Sequence, residues 1–403
     1  MTHSLQRILF LLVVLFSAMV ATPAKCDTEN VEKSFWVKSG GTLTVESDQG
    51  SIKVETGARQ TVEVLVEKNA GNQKQLDGFN VNLDQKGNDI FVGGVGDWNN
   101  KVSVKFIIKV PPEFNLDLKT GGGAIGVADI SGEVKVKTKG GNIRIGNVAQ
   151  GNVDAKTSGG TINVGDVAGD LKVDTSGGNI GLGKINGKSS IDTSGGSITL
   201  AQGGNDVKAE TSGGSIKIGP VNGKVDADTS GGGIRIGIAE DDVIAKTSGG
   251  AIIVEGSKGS VDIDTAGGNL FVGSSGGPVK AETSGGNIKI LQATGFIEAD
   301  TSGGKIDAEM IVDDKNVDTH VNLESSGGSI TLRIPGRLAA SVAATLKITR
   351  SARRDYRIYS DFLLTIKGED SSKITAYGDI NGGGDKVTLS TTNGDIHIKR
   401  LEE

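Results

Sequence analysis

The four residues Thr283-Ser284-Gly285-Gly286 form a string, TSGG, that occurs eight times among the 403 residues of this sequence. A glycine-rich turn could hold a phosphate group, because phosphate-binding loops offer free backbone N–H groups. Those loops open a helix and are usually followed by a lysine, whereas every TSGG here leads into a short strand-like pattern. We therefore interpret TSGG as a structural turn and predict no cofactor.

Carboxylates recur immediately before the first threonine of the repeated turn. Four successive repeats carry Asp174, Asp192, Glu210 and Asp228 at this position. Clustered carboxylate oxygens could bind calcium, but the Asp-bearing nonapeptide of calcium-binding β-rolls is absent, since the Gly-Gly turns carry no Asp. We favour a solvated acidic edge, partly balanced by neighbouring lysines, and predict no metal site.

Positive charge and aromatic rings come together in the segment 347–357, "KITRSARRDYR", and just beyond it. Such residues could hold an anionic sugar or surface polymer through charge and ring stacking. A solvated edge of the C-terminal region is the simpler interpretation. The candidate anionic-ligand residues are Lys347, Arg350, Arg353, Arg354, Tyr356, Arg357 and Tyr359.

Two apolar residues, Ile253 and Phe271, lie one repeat apart at a position where most other repeats carry charged or polar residues. We expect them to be neighbours on an exposed face. A contact patch for a partner chain is one interpretation, and an exposed pair without consequence is the other.

No set of residues suggests catalysis. The three histidines, His3, His320 and His397, lie far apart in sequence. The formal net charge of -6 argues against a nucleic-acid-binding face, which would be basic. We therefore predict a protein that is not an enzyme and has no nucleic-acid partner.

The elements that position these residues follow a period of 18 residues. Within the repeat 283–300, Ile288 and Ile290 alternate with polar residues, and Ile297 and Ala299 do so again, which indicates two strands with one buried face each. Short strands joined by glycine bends predict an all-β fold, a parallel β-solenoid. The crossover rule favours a right-handed coil, although short solenoid coils include exceptions. About eleven coils would form a rod roughly 50 Å long.

Each residue of the turn has an expected role. Thr283 shares the inward phase of the strand before it, and Ser284 faces outward. A buried hydroxyl without a partner costs on the order of 1–3 kcal/mol, so we predict a ladder of threonines bonded to turn carbonyls or amides. Gly285 and Gly286 would supply a bend with positive φ or with no room for a Cβ, and we expect Gly285 to tolerate no side chain.

The N-terminal residues 1–24 are predicted to be a signal peptide, since Arg7 precedes a short apolar run. The mature protein would be exported, without an integral membrane segment. The single cysteine, Cys26, follows a lysine rather than a small residue, so we do not expect lipid modification.

Three segments follow the signal peptide. Residues 25–118 have longer alternating strands and turn signals such as Lys86-Gly87-Asn88-Asp89, which predict an N-terminal β cap whose thicker core gathers Trp36, Trp98 and several phenylalanines. Residues 119–335 form the solenoid repeat domain. Residues 336–403 form a C-terminal β cap, in which the final "TTNGDIHI" is expected to close the rod.

The segments "KFIIKVPPEFNLDLKTGGGAI", the serial "TSGGNI" units and "TTNGDIHIKR" carry a family resemblance. Together they resemble the bacterial "putative adhesin" β-strand-repeat domain family of unknown function. The resemblance covers nearly everything after the signal peptide. It implies an exported β-solenoid with a suggested role in adhesion, and it brings no catalytic residues.

We therefore predict an exported, non-enzymatic β-solenoid of the bacterial periplasm, outer surface or surroundings. It would act as an adhesin-like or cell-envelope scaffold module whose many weak contacts bind a cell-surface glycan or protein. The alternative is a carbohydrate-binding protein or a β-helix polysaccharide lyase acting on acidic glycans. Coils of 18 residues leave little chain with which to build the cleft of a lyase.

Overall fold

The computed structural model describes residues 27–57, 60–97, 101–312, 316–350, 352, 355–369 and 371–401. The regular structure in these ranges is almost entirely β-strand. No helix in the described part of the chain is long and apolar enough to cross a membrane. The predicted signal peptide and Cys26 lie outside the described residues.

The described N-terminal region contains seven strands and one short helix. In chain order these are β1 (Asp27–Trp36), β2 (Thr42–Ser47), β3 (Ser51–Thr56), β4 (Thr61–Ala70), α1 (Gln73–Asp77), β5 (Phe79–Lys86), β6 (Asp89–Gly96) and β7 (Ser103–Val110). The hairpin predicted at Lys86-Gly87-Asn88-Asp89 is confirmed, because β5 and β6 pair antiparallel across it.

The repeat region consists of short strands that alternate between two sheets. Its first half contains β8 (Asn115–Thr120), β9 (Ile125–Val127), β10 (Val134–Thr138), β11 (Ile143–Ile145), β12 (Val153–Thr157), β13 (Ile162–Val164), β14 (Leu171–Thr175), β15 (Ile180–Ile185), β16 (Ser189–Thr193), β17 (Ile198–Gly203), β18 (Val207–Thr211) and β19 (Ile216–Ile218). Its second half contains β20 (Val225–Thr229), β21 (Ile234–Ala239), β22 (Val243–Thr247), β23 (Ile252–Ser257), β24 (Val261–Thr265), β25 (Leu270–Val272), β26 (Val279–Thr283), β27 (Ile288–Ala293), β28 (Ile297–Thr301), β29 (Ile306–Met310), β30 (Val321–Ser325) and β31 (Ile330–Pro335).

The C-terminal strands are less regular in length. They are β32 (Ala340–Lys347), β33 (Ile358–Ser360), β34 (Thr365–Lys367), β35 (Lys373–Ile380), β36 (Asp385–Thr392) and β37 (Ile396–Leu401).

All of these strands belong to two long sheets. Sheet A has the order β1-β4-β7-β3-β9, then the odd-numbered strands from β11 to β31, then β37-β33. Sheet B has the order β5-β6-β2, then the even-numbered strands from β8 to β30, then β36-β32-β35-β34. Each coil contributes one strand to each sheet, and successive coils pair in parallel. The predicted parallel β-solenoid is confirmed.

The alternation of residues decides which side chains form the core. On β26, Val279 and Ala281 are fully buried whereas Lys280 and Glu282 are exposed, and the neighbouring strands repeat this pattern in register. The inner column of sheet B is rich in alanine, and sheet A supplies larger side chains such as Ile288. Every position of the repeat therefore becomes a row of equivalent side chains along the rod.

The predicted threonine ladder is confirmed. The Thr283 hydroxyl donates to the backbone carbonyl of Gly268 in the preceding coil at 2.9 Å and accepts from the N–H of Gly286 at 3.2 Å. The same donated bond recurs at Thr157, Thr175, Thr193, Thr211, Thr229, Thr247, Thr265 and Thr301. Each threonine thus joins two coils and closes its own turn.

The two glycines of the turn differ in how closely the neighbouring coil approaches them, which the sequence did not predict. Neither Gly285 nor Gly286 has positive φ. A Cβ built on Gly286 would lie 1.8 Å from the carbonyl oxygen of Gly268, while a Cβ on Gly285 would meet nothing nearer than 3.5 Å. The expectation that Gly285 tolerates no side chain is therefore wrong, because the close approach between coils falls on the second glycine.

Asparagine and aspartate side chains also bridge successive coils, both directly after the Gly-Gly pair and at the other bend of the coil. The Asn269 side chain accepts from the N–H of Asn287 at 2.8 Å, and Asn287 accepts in turn from the N–H of Lys305 at 2.8 Å. At a different corner, Asp170 accepts from the N–H of Lys188 at 2.8 Å. These oxygens satisfy backbone donors that the bend leaves without a strand partner.

The outermost repeat-like segments lie inside the rod rather than at its ends. The strand β2 lies between β6 and β8, and β3 lies between β7 and β9. At the opposite end β36 lies between β30 and β32, and β37 lies between β31 and β33. The segment "TTNGDIHI" therefore does not close the rod, because β32 and β33 stack beyond it.

Antiparallel strands extend the sheets beyond the parallel coils. At the N-terminal end α1 packs against β1, β4 and β5, and its Leu76 is fully buried. Phe35 is buried as a thicker core requires, but Trp36 is 78% exposed, because alternation along β1 turns the next residue outward. Trp98 lies outside the described residues. The division into caps and a repeat domain remains a proposal, since both sheets continue across its boundaries.

We expect Gly286→Ala to destabilise the protein far more than Gly285→Ala. A Cβ at Gly286 would force two coils apart at their closest approach, at a cost of roughly 1–3 kcal/mol or more, whereas Gly285 has room for a methyl group. Thermal unfolding followed by circular dichroism measures the difference. Equal melting shifts in the two variants would contradict this assignment of the turn.

Ser189 offers a stabilising substitution. It is aligned with Leu171 and Val207 in a buried apolar column, and its hydroxyl has no hydrogen-bond partner in the described structure. Because an unsatisfied buried hydroxyl costs about 1–3 kcal/mol, Ser189→Val should raise the free energy of unfolding in urea. The control is the exposed neighbour Ser190→Val, which should change it little. A loss of stability in Ser189→Val would contradict this interpretation.

Candidate functional site

A row of carboxylates runs along the outer face of sheet B, directly before the buried threonines. Strand register places Asp174, Asp192, Glu210 and Asp228 side by side, as the sequence predicts. A lysine interrupts the row, and a second run of four carboxylates follows. Its members are Asp264, Glu282, Asp300 and Glu324. The position of Glu324 was not evident from the sequence, because Ser325 follows Thr301 after 24 residues instead of 18.

The acidic row is partly neutralised by lysines. Burial, followed by the charges of Asp174 and Glu210 on either side, raises the pKa of Asp192. Lys156 forms a 2.5 Å ion pair with Asp174, and Lys208 forms one of 2.8 Å with Glu210. Exposed pairs of this kind contribute little to stability. Within the described residues, no three histidine, cysteine or acidic side chains are placed to hold a metal ion.

The apolar pair Ile253 and Phe271 lies on the outer face of sheet A. The two residues are direct neighbours on β23 and β25, which confirms the predicted adjacency. Both are half-buried, and Arg235 and Lys289 flank them in the same row. Leu291, two residues beyond Lys289 on β27, is 37% exposed. The pair is a small apolar area within a charged row.

The candidate anionic-ligand residues of the C-terminal region include members of two different sheets. Lys347 ends β32 in sheet B, whereas Tyr359 lies on β33 in sheet A, where it stacks on His397 at 4.8 Å between ring centroids. Arg350 and Arg357 are exposed, Tyr356 is half-buried, and the backbone N–H of Arg357 donates to Asp395. Arg353 and Arg354 lie outside the described residues. The structure thus brings Tyr359 together with a histidine that sequence reasoning had left isolated.

A second histidine, His320, lies between two carboxylates directly before β30. Its Nδ1 is 2.8 Å from Asp318, its Nε2 is 3.4 Å from Glu298, and its ring stacks on Phe296 at 4.5 Å. Burial lowers the pKa of His320, but the hydrogen bonds and charges of Asp318 and Glu298 outweigh it and raise the pKa above its ordinary value. Both ring nitrogens of His320 are therefore engaged, and the residue joins Asp318 to Glu298 of β28.

Two grooves mark the outer face of sheet B. The first, of about 730 Å³, runs beside several coils and is lined by alternating lysines and carboxylates, such as Lys172, Asp154 and Asp170. The second, of about 660 Å³, lies near the N-terminal end of the sheet. We call it the cap groove and define it by Asn80, Asn82, Phe91, Val95, Lys137 and Lys139.

Sequence reasoning missed the cap groove. Its residues come from β5, β6, β10 and the turn after β10, which are far apart in the chain. A partial signal was present in "DIFVGGVG", where a phenylalanine precedes two glycines inside a strand. Glycine in a strand often marks a place where another group approaches closely, but it does not reveal which distant residues complete the site.

Comparison with known proteins identifies a family. The family model described as Toastrack DUF4097 matches residues 41–270. No curated protein matches the chain.

Several solved structures are similar to the chain at low identity. A structure from Clostridium sporogenes, described as a "putative cell adhesion protein", is 10% identical over 93% of this chain and 100% of that chain, with a TM-score of 0.16. One from Bacteroides fragilis, described as a "putative adhesin", is 11% identical over 93% and 97%, with a TM-score of 0.23. One from Parabacteroides distasonis, described as a "putative lipid binding protein", is 16% identical over 71% and 96%, with a TM-score of 0.18. At such TM-scores these similarities carry no argument about function.

The histidine cluster predicts a pH dependence of stability. Because the folded protein raises the pKa of His320, its contribution is complete below the unfolded value of about 6.5 and is lost as pH rises through the folded pKa. We expect the melting temperature to fall by no more than a few degrees across that range, and this component of the fall should be absent from His320→Gln. Melting curves at successive pH values provide the measurement. Identical pH profiles for the two proteins would contradict the assignment.

Proposed function

Because the chain belongs to the Toastrack DUF4097 family, we propose that its rod is a non-enzymatic binding or scaffold module. It acts in an adhesin-like manner, through many weak contacts with a cell-surface glycan or protein. Repetition of one weak contact along a rigid body raises the effective concentration of each later contact, so the summed avidity exceeds any single affinity.

The observation that supports this proposal is the constant register of the coils. From β10 to β30, each strand of sheet B pairs residue for residue with the next, so the same outward positions return at every coil. An exposed serine follows the buried threonine in all eight TSGG turns, for example at Ser284 and Ser302. A surface of this kind suits a partner that is itself repetitive.

We propose that the protein works outside the cytoplasm, in the bacterial periplasm, on the outer surface or in the surroundings. The sequence of residues 1–24, with its short apolar run after Arg7, supports export. The apolar pair Ile253 and Phe271 and the exposed Lys347, Arg350, Arg357 and Tyr359 are proposed contact points on this surface.

Removal of whole coils tests the multivalent mechanism. Deletion of residues 193–228 joins Asp192 to Thr229, and deletion of residues 247–282 joins Lys246 to Thr283, so both shortened rods keep the threonine register. Circular dichroism would first establish that they fold. We expect each deletion to lower retention on bacterial envelope fragments and on a surface-glycan array by a similar, several-fold factor.

The two deletions also act as controls for each other. Only the second removes Ile253 and Phe271. If it alone abolishes retention, binding depends on one local contact and the multivalent mechanism is wrong. Reproducible release of unsaturated products from acidic polysaccharides, with or without calcium, would contradict the non-enzymatic assignment.

A further inference from the structure

We propose that the cap groove is a binding site for an acidic oligosaccharide, such as a chain of uronic acids. The inference deepens the proposed binding function, on which it rests, by naming one site and one class of ligand. It depends on the residues at the N-terminal end of sheet B, where the antiparallel strands β5 and β6 adjoin the first coils.

The shape of the groove follows from a missing side chain. In sheet B, Gly93 lies between Asn82 of β5 and Glu46 of β2, at a position where the following coils carry charged side chains such as Lys119. Without a side chain at Gly93, the outer face of the sheet is depressed there. A Cβ on Gly93 would come 3.0 Å from the edge of the Phe91 ring.

Phe91 supplies an apolar platform in this depression. Its ring leans over Gly93 and remains partly exposed, and Val95, 64% exposed, borders the same groove. Aromatic rings combine a large apolar face with little conformational freedom, so a ring in an open groove can support the flat C–H face of a sugar. The first groove, beside the coils, has no aromatic residue in its lining.

Amide groups stand beside the ring. Asn80 and Asn82 project from β5 into the groove, and their exposed side chains form no hydrogen bond with any described residue. A carboxamide offers two donors and an acceptor in one plane, which matches adjacent sugar hydroxyls. Of the two carboxylates that line the groove, Glu46 pairs with Lys119 at 3.1 Å, and Asp48 accepts from the N–H of Gly96 but keeps its negative charge.

The remaining charge of the groove is positive. Lys137 on β10 and Lys139 just after it are exposed and form no ion pair with any residue that the structure describes. They lie at the far side of the groove from Asn80 and Asn82, with β6, β2 and β8 between, a width of roughly 19 Å at about 4.8 Å per strand. A neutral sugar would leave these two cations unused, whereas a carboxylate or sulfate substituent would meet them. An extended acidic oligosaccharide therefore fits the groove from the ring to the lysines.

Calorimetric titration of the full chain with tetragalacturonate tests the site, with neutral cellotetraose as the comparison ligand. We expect tetragalacturonate to bind and cellotetraose to bind more weakly or not at all. Phe91→Ala should reduce the affinity by about tenfold. Lys137→Gln should reduce it by roughly two- to fivefold, with a smaller effect at high salt.

Lys135→Gln is the matched control, because Lys135 is exposed on the same strand and face as Lys137 but does not line the cap groove. It should leave the affinity unchanged. Equal losses from Lys135→Gln and Lys137→Gln, equal binding of the two sugars, or no binding of tetragalacturonate would each overturn the proposal. Should Phe91→Ala fail to fold, the two lysine variants decide the question alone.

Tetragalacturonate is short enough to occupy only one site, so its binding tests the cap groove independently of the multivalent mechanism. If tetragalacturonate does not bind, the cap-groove site is wrong, but retention of the whole rod on envelope fragments can still support the multivalent mechanism. If tetragalacturonate binds but the shortened rods are retained as well as the full chain, the multivalent mechanism is wrong and the cap-groove site stands.

Discussion

The second glycine of each Thr-Ser-Gly-Gly turn stands where two coils approach so closely that no side chain could fit. From Gly141 to Gly328 a Cβ at this position would lie 1.8–2.3 Å from the carbonyl oxygen of the equivalent glycine one coil earlier. The adjacent threonine holds that approach with a hydrogen bond to the same carbonyl. Contact and hydrogen bond together fix the stacking distance and register, from which the two sheets and their core follow.

A fixed register has consequences for the surface. Once the inner rows are set, each outward position becomes a straight row, and its chemistry is free to change from coil to coil without disturbing the stack. Sheet B carries carboxylates and lysines at such positions, and sheet A carries apolar residues at some of them, among them Ile253 and Phe271. The turns are therefore structural, and the contact sites that we propose lie in the rows between them and at the N-terminal end of sheet B.

The sequence predicts what depends on period and phase. Alternation around Thr283 was enough to predict the solenoid, the buried threonine ladder and the adjacency of Ile253 and Phe271. Period alone could not distinguish Gly285 from Gly286, because their difference lies in the distance to another coil. It could not reveal that β2 and β36 lie inside the stack, since those pairings join distant segments. The cap groove was hidden for the same reason, as its residues meet only after β5, β6 and β10 are side by side.

The position of β37 has a mechanical consequence. This strand is hydrogen-bonded to β31 along its whole length, and its first three residues, Ile396 to Ile398, are also paired with β33 on the other side. A pulling force applied at residue 401 could not peel this first half of the strand away one hydrogen bond at a time. It would have to slide the strand past both neighbours, loading two ladders in shear at once. A rod held from that point would transmit tension into its body before any coil opened.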